Sequence, residues 1–310
     1  MTQSEIGPIA PVALFVYSRP GLTRLTLEAL AANRLAERTK LFVFADGPRR
    51  PEDEGNVRET RRIAASAKGF AAVTVLASVP NLGLSRSIIG GVTRLTDEFG
   101  TAIVLEDDIV TSPYFLEYMN DALEKYRNDS RVAAVSGYLP PFDRRLPETF
   151  FQRDAECWGW ATWKRAWSTF NPDGVALLDA LARQDLLRFF DQDGTANYVD
   201  MLKRQVVGKN DSWAVRWRAS VILADMLSLY PGRSLTENVG FDGSGTHSDE
   251  SSMWNVELSS TPVMVGDIEI RHSAEAFDAF RRFNRKQGVN SLWRRVRGRA
   301  KSVLHKVGLA

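Results

Sequence analysis

Strand-like and helix-like segments alternate from residue 11 to residue 137, and this alternation restricts the fold more than any other feature of the sequence. PVALFVY (11–17) has the length and composition of a buried strand, whereas GLTRLTLEALAANRLA (21–36) repeats its leucines at helical spacing. The predicted strands are 11–17, 40–46, 71–77, 101–107 and 132–137, and the predicted helices are 21–36, 52–67, 84–99 and 113–127. Strands joined by helices form βαβ units, so we expect an α/β fold with a mostly parallel sheet flanked by helices.

Polar residues gather at the ends of the predicted strands. The segments are YSRPG (17–21), ADGPR (45–49), NLGLSR (81–86) and LEDD (105–108). Parallel sheets bind ligands in the crevice outside the carboxyl ends of their strands, and all four segments belong to that edge. The pattern therefore predicts a ligand site there.

Three consecutive acids, Glu106, Asp107 and Asp108, end the fourth predicted strand. Adjacent carboxylates repel one another, and burying one without a positive partner is costly. Acids also favour helix N-termini, but the sequence that follows places the cap of the next helix at Thr111 or Ser112. A hard divalent cation, which takes oxygen ligands and bridges carboxylates to phosphates, explains the cluster better.

Composition and charge exclude several classes of protein. The chain has 310 residues, a formal net charge of +2 and a single cysteine, Cys157, so it forms no intramolecular disulfide and no thiolate metal cage. Ten Lys and Arg residues and no acids lie between Arg281 and Ala310, which leaves the rest of the chain acidic, unlike a nucleic-acid-binding body. The sequence has no apolar run of the roughly 20 residues that span a membrane and no signal-peptide pattern, so we expect a cytoplasmic protein.

From about residue 138 the composition changes. CWGWATWKRAW (157–167) contains four of the eight tryptophans. Helices are predicted near 175–190, 196–207 and 213–227, followed by a Gly/Ser loop (238–252) and a short strand (266–271).

Residues 276–310 are predicted to form a basic amphipathic C-terminal helix. An apolar stripe that includes Trp293 lies at helical spacing between residues 289 and 307, and lysines and arginines occupy most other positions. Such a helix binds an anionic membrane surface, or it packs on its own domain or on a second subunit. The absence of acids favours the membrane, which would make the protein peripheral on the inner face.

The motifs resemble those of GT-A glycosyltransferases in kind and in order. VLEDD (104–108) is similar to their acidic motif, in the EDD variant shared with N-acetylglucosaminyltransferase I, and FVYSRPG, ADGPR and NLGLSRS resemble bacterial family-2-like sugar transferases. CWGWATW and NVGFDGSGTH are similar to later motifs of such enzymes, so the resemblance covers residues 11–272. It implies a GT-A, Rossmann-like fold in one domain (1–275), with a nucleotide-binding half (about 11–137) and an acceptor half (138–275).

The resemblance also implies roles at the donor site. The residues implied to bind a nucleotide-sugar donor are Arg19, Asp46, Arg86, Glu106 and Asp107. Asp46 would bind the base, although it is also a typical turn former, and the arginines would bind ribose or diphosphate oxygens unless they are solvated surface residues. Asp108 and His247 would hold Mn²⁺ or Mg²⁺, with His247 on a glycine-rich lid; a surface histidine is the alternative.

Asp211, in KNDSWAVRW, is the implied catalytic base and lies 103 residues after Asp108. An inverting transfer needs an acid that accepts the proton of the acceptor hydroxyl as an oxocarbenium-like transition state forms. The alternative is that Asp211 caps the following helix together with Ser212. Glu156 and Asp154 are the reserve candidates for the base.

Several tryptophans are candidates for binding the acceptor, because aromatic faces stack on the apolar C–H faces of sugars. Trp158, Trp160 and Trp213 are predicted to contact it. Trp163 and Trp167 are four residues apart, so on a helix they would share one face, and we expect them in the core.

These observations predict a metal-dependent glycosyltransferase that moves a hexose or N-acetylhexosamine, with inversion, from a nucleotide sugar to a glycan or lipid-linked glycan. A UDP-sugar is the favoured donor, and polysaccharide biosynthesis at the cell envelope is the expected setting. A nucleotidyltransferase that makes nucleotide sugars is the alternative, although YSRPG is not the Gly-rich basic loop such enzymes use on triphosphates. A third hypothesis is a non-catalytic nucleotide- or sugar-binding subunit.

Overall fold

The computed structural model describes residues 9–240 and 252–286. They build an eight-stranded sheet flanked by helices and a separate two-stranded sheet. The strands are β1 (Val12–Val16), β2 (Lys40–Ala45), β3 (Ala72–Ala77), β4 (Thr101–Glu106), β5 (Ile109–Thr111), β6 (Val132–Ser136), β7 (Thr149–Gln152), β8 (Trp160–Trp163), β9 (Leu227–Pro231) and β10 (Thr236–Asn238). The helices are α1 (Pro20–Ala31), α2 (Glu54–Ala65), α3 (Leu84–Phe99), α4 (Phe115–Lys125), α5 (Lys164–Trp167), α6 (Gly174–Arg183), α7 (Leu187–Phe190), α8 (Tyr198–Val206) and α9 (Trp213–Leu223). The predicted α/β, Rossmann-like architecture is confirmed.

The strand order is β3-β2-β1-β4-β8-β6-β9-β7. Strands β3, β2, β1 and β4 are parallel, with β1 paired to β2 on one side and to β4 on the other. The chain runs from β1 outward to β3 and then returns to the opposite side of β1 for β4. The order therefore reverses between β1 and β4, and such a switch point is where open α/β sheets bind ligands.

The central strand β1 is entirely apolar because neighbours cover it on every side. All five of its residues are buried. A parallel strand that is covered on both faces reads as a continuous apolar run rather than as an alternation. This is why PVALFVY was recognisable as a strand from its sequence.

Strand β8 inserts antiparallel between β4 and β6, and no sequence pattern predicted it. It contains Trp160 and ends at Trp163, whereas Trp167 ends the short helix α5. Trp163 and Trp167 are buried, as expected, but they do not share the face of one helix. The prediction of the core positions is confirmed, and their predicted helical spacing is wrong because a strand turns into a helix between them.

The predicted strand at residues 266–271 is wrong. The structure shows no strand there, although Ile268 and Ile270 pack against the core. The nearest sheet contact is an isolated bridge between Phe151 and His272. The alternation of apolar residues therefore reflects contact with the core surface and not strand pairing.

Residues 274–286 are helical and pack on the sheet. Ala276 and Phe280 are buried in a cluster with Phe150 and Tyr230, which come from β7 and β9. This helix therefore packs on the sheet through residues as far along the chain as Phe283, and the domain boundary at residue 275 stays a prediction. The apolar stripe at 289–307 lies outside the described residues. Within those residues, no helix combines the length and the apolar character needed to cross a membrane.

Two neighbouring glycines on α3 test the packing of this helix on β1. A Cβ added at Gly91 would lie 2.6 Å from Cζ of Phe15 and 3.1 Å from Cε1 of Phe44, whereas nothing lies within 4 Å of one added at Gly90. We expect Gly91→Ala to lower the free energy of unfolding by about 1–3 kcal/mol through overpacking. Gly90→Ala should raise it by about 0.5–1 kcal/mol through helix propensity.

Urea denaturation of both variants measures this difference. Equal effects at the two positions would contradict the close packing of Gly91 on Phe15.

Candidate active site

The three consecutive acids lie at the switch point, and a residue that follows β1 meets two of them. The Arg19 guanidinium forms ion pairs with the carboxylates of Asp107 and Asp108, the latter at 3.0 Å. The backbone N–H of Tyr17 donates to Asp107 Oδ2 at 3.3 Å. The structure thus brings together three of the predicted site residues across the crevice between β1 and β4. It pairs Arg19 with the acids rather than leaving it free for a ligand.

One guanidinium does not balance three adjacent carboxylates. Burial raises the pKa of Glu106 to about 8, and the charges of Asp108 and Asp107 add to the effect while Arg19 opposes it. Burial also raises the pKa of Asp107 to about 6, although Arg19 lowers it. Within residues 9–240 and 252–286, no donor forms a hydrogen bond with the Glu106 carboxylate. The cluster is therefore short of positive charge.

A divalent cation suits this charge deficit. The described part of the chain holds no group of three or more His, Cys, Asp or Glu side chains arranged as a metal cage. Mg²⁺ and Mn²⁺ do not need one, since one or two carboxylates together with substrate phosphates and waters complete their shells. The donor chemistry at Asp108 therefore fits a cation that binds together with a phosphate-bearing ligand.

The Gly/Ser loop begins beside Asp108. Strand β10 pairs antiparallel with β5, and the N–H of Val239 donates to the Asp108 carbonyl at 2.9 Å. A Cβ added at Gly240 would lie 2.3 Å from Asp108 Oδ2, so a residue with no side chain is needed there. Residues 241–251 lie outside the described residues, and so does the predicted metal ligand His247.

Asp46 holds the loop that follows β3. Its Oδ1 accepts hydrogen bonds from the N–H groups of Gly47 and Leu82, both at 2.8 Å. Its Oδ2 accepts from the Gly83 N–H at 2.9 Å and from the Asn81 amide at 3.1 Å. A carboxylate has about four acceptor sites, so these four bonds saturate it. Asp46 therefore acts in this structure as a turn-forming residue. To bind a nucleotide base, its carboxylate would have to exchange one of these four hydrogen bonds for one to the base.

Arg61, on α2, is a contributor that the sequence analysis missed. Its guanidinium donates to the carbonyls of Asp46 at 3.0 Å and Ser78 at 2.5 Å, at the carboxyl ends of β2 and β3. Nothing in the helix sequence separates this arginine from its exposed neighbours. Arg86, by contrast, is exposed in the first turn of α3 and has no hydrogen-bond or ion-pair partner among the residues described.

Asp211 reaches the same edge of the sheet through Arg216. The two side chains form an ion pair at 2.9 Å, and Arg216 also donates to Ser85 Oγ, at the start of α3, at 2.6 Å. Ser212 caps α9 by accepting from the Val215 N–H at 3.3 Å, so Asp211 is not the cap. With 68% of its side chain exposed, the Asp211 carboxylate is accessible to an acceptor.

The two reserve candidates for the base differ in environment. Asp154 is buried in an ion pair with Arg218 at 2.5 Å, which removes it from contact with a ligand. Glu156 is half-buried, and burial raises the pKa of its carboxyl. Its Oε1 accepts from the Cys157 N–H at 2.9 Å. Glu156 therefore remains the reserve candidate that a ligand can reach.

The predicted acceptor tryptophans separate into two groups. Trp160 and Trp213 are 0% and 3% exposed and stack on each other with ring centroids 5.5 Å apart. This burial in the core argues against the acceptor role predicted for both. Trp158 is half-buried and borders the site. Trp160 lies in a strand and Trp213 begins a helix, so no local pattern indicates that they meet. They pack together because burying the large apolar area of both rings is favourable.

No protein-family description matches the chain, and no curated protein matches its sequence. Among solved structures, it is similar to a mannosyltransferase from Pyrobaculum calidifontis in complex with GDP-mannose and Mn²⁺, at 15% identity and a TM-score of 0.35. The similarity covers 59% of this chain and 50% of that chain, so this chain spans about half the length of that neighbour.

The pairing of Arg19 with the acids leads to a testable expectation. Arg19→Gln leaves two largely buried carboxylates without a cation, so we expect the free energy of unfolding to fall by about 2–3 kcal/mol. Arg38→Gln, at an exposed position, is the matched control and should change little. Thermal and urea denaturation without added metal measure both. A stable Arg19→Gln protein would mean that the ion pair contributes nothing to folding.

The four hydrogen bonds to Asp46 support a second expectation. Asp46→Asn places an amide N–H₂ against N–H donors and leaves two of them unsatisfied, which should cost about 2–4 kcal/mol of unfolding free energy. The control is Asp143→Asn at an exposed position. Denaturation and nucleotide titration are measured on both. Unchanged stability with lost nucleotide binding would show instead that Asp46 serves the ligand and not the loop.

Proposed function

We propose that this chain is a metal-dependent glycosyltransferase that transfers a sugar from a nucleotide-sugar donor to a hydroxyl group of a glycan or lipid-linked glycan. The observation that carries the proposal is the charge deficit of Glu106, Asp107 and Asp108 at the switch point between β1 and β4. The acids lie where α/β sheets bind ligands, and a cation bound with phosphates supplies the charge that they lack.

The charge of the site favours a diphosphate over an uncharged ligand. A polyanion alone would be repelled by the acids, whereas a cation shared between carboxylate and phosphate removes the repulsion. The loops after β1, β2 and β3 surround the same edge and offer backbone and side-chain groups to the nucleoside. The resemblance of these loops to those of sugar transferases supports a sugar as the group transferred.

Each residue then has a defined task. Asp108 would hold Mn²⁺ or Mg²⁺, which as a Lewis acid would offset the charge on the departing diphosphate. Asp107 is fixed by Arg19 and Tyr17 and would orient the ribose side of the donor. Arg19 lies beside these acids and can bind phosphate oxygens by exchanging one carboxylate for the ligand.

Asp211 is our candidate for the base of an inverting transfer. Its carboxylate is accessible, and it is not used in the helix cap. As the acceptor oxygen attacks the anomeric carbon, the bond to the diphosphate breaks and the hydroxyl proton passes to the carboxylate. The ion pair with Arg216, at 2.9 Å, holds the Asp211 carboxylate in position. A UDP-sugar remains the favoured donor, and membrane association through residues 289–307 stays a prediction.

Calorimetric titration tests the donor site. UDP, TDP and GDP are titrated with and without Mn²⁺ into the wild type, Asp108→Asn and the control Asp143→Asn. We expect Mn²⁺-dependent binding of one nucleotide, weakened roughly 100-fold in Asp108→Asn and unchanged in the control. If none of the three nucleotides binds to the wild type, either with or without Mn²⁺, the proposal is overturned.

Turnover of the matching nucleotide sugar tests the reaction, with Asp211→Asn as the variant. We expect nucleotide affinity to stay unchanged and the release of nucleoside diphosphate to fall roughly 10²–10⁴-fold. Formation of pyrophosphate from a sugar phosphate and a nucleoside triphosphate would identify a nucleotidyltransferase instead. Nucleotide binding without turnover across a range of glycan acceptors would identify a binding subunit.

A further inference from the structure

Two tryptophans meet at a right angle beside the candidate active site. The ring centroids of Trp158 and Trp254 are 5.8 Å apart, with an angle of 88° between the ring planes. Tyr138 packs edge-on against Trp158 at 4.6 Å, and Phe283 packs against Trp254 at 5.2 Å. We call the two indoles the tryptophan corner. Trp254 had no role in the sequence analysis.

The backbone fixes both sides of the tryptophan corner. The Trp158 carbonyl accepts a hydrogen bond from Thr236 Oγ1 at 2.6 Å, and the Trp254 carbonyl accepts one from the Tyr138 hydroxyl at 3.0 Å. Gly159 follows Trp158 with a φ of +79°, a conformation that favours glycine. The two rings are therefore held in position before any ligand binds, which lowers the entropic cost of binding.

The corner differs from the other tryptophan cluster of the fold in its exposure. Trp160, Trp213 and Trp217 are buried, whereas Trp158 and Trp254 both keep part of their surface in contact with solvent. Large aromatic faces left partly open next to polar groups are typical of small-molecule sites.

Two carboxylates, those of Glu156 and Glu237, lie near Tyr138, which packs on Trp158. Glu156 lies two residues before Trp158, and Glu237 directly follows Thr236, the residue bonded to Trp158. The Glu237 carboxylate accepts from the N–H of Val256, two residues after Trp254. Both glutamates are partly exposed. Aromatic faces take the apolar C–H surface of a sugar ring, and carboxylates accept hydrogen bonds from its hydroxyl groups.

Strand β10 sets the distance between the corner and the acids. Thr236 contacts Trp158, and Val239, three residues further along, contacts Asp108. Three residues of extended chain span about 10 Å. The backbone of Trp158 and the backbone of Asp108 are therefore linked through one short stretch of chain.

We propose that the tryptophan corner is the acceptor subsite, in which Trp158 and Trp254 hold a pyranose ring and Glu156 and Glu237 bind its hydroxyl groups. The name acceptor rests on the proposed transferase function, whereas sugar binding at the corner does not. The corner also has the composition of a site for an organic cation, which the test separates from a sugar.

Fluorine NMR of the full chain carrying fluorinated tryptophan reports on each of the eight indoles. Trp158→Phe and Trp254→Phe assign the two resonances of the corner. The probes are the methyl pyranosides of glucose, galactose, mannose and N-acetylglucosamine, with tetramethylammonium as the cationic probe. We expect at least one pyranoside to shift both resonances of the corner and to leave that of the buried Trp167 unchanged.

Trp254→Leu should weaken that pyranoside roughly tenfold and leave Mn²⁺-dependent nucleotide binding at the wild-type level. Phe99→Leu, a half-buried aromatic residue at the opposite edge of the sheet, is the matched control and should change neither. No shift of the corner resonances with any pyranoside, or a shift with tetramethylammonium alone, would overturn the inference.

The outcomes separate this inference from the proposed function. Nucleotide binding and turnover with no pyranoside response at the corner would leave the transferase and remove the subsite. Pyranoside binding at the corner in a protein that binds no nucleotide would keep the sugar site and remove the transferase.

Discussion

The ion pairing of Arg19 with Asp107 and Asp108 joins the two strands on which the rest of the site depends. It connects the segment that follows β1 to the end of β4, and it places one cation against two of the three adjacent acids. A carboxylate cluster is tolerated at such a position because a guanidinium and the N–H of Tyr17 offset part of its charge. The remaining deficit, reflected in the raised pKa of Glu106, is the observation on which the proposed cation site rests.

Residues from the second half of the chain lie against the edge of the sheet at which the three acids are found. Strand β10 brings Val239 and Gly240 against Asp108, while Thr236 on the same strand holds Trp158. Arg216 ties Asp211 to the start of α3. The groups proposed to bind a donor and those proposed to bind a sugar acceptor are thus carried by strands and helices that end at the same rim.

Local pattern predicted the first half of the fold well. Strands β1, β4 and β6 are largely buried apolar runs. Helix α3 begins and ends at the residues that its periodicity indicated, Leu84 and Phe99. The three acids stand out in the sequence because they interrupt an apolar run at a strand end, whereas the roles proposed for Arg19 and Asp211 came from the resemblance to sugar transferases. Strand β8 and the unpaired segment at 266–271 were misread because strand pairing depends on partners far away in the sequence.

The sequence by itself determined the α/β class, the position of the ligand edge and the presence of a carboxylate cluster, since periodicity and local charge encode all three. Tertiary structure decided the rest. It paired Arg19 with the acids, saturated Asp46 with loop hydrogen bonds and buried Trp160 while leaving Trp158 and Trp254 partly exposed. Residue type fixes what a side chain is able to do, but its burial and partners come from contacts between segments that no local pattern records.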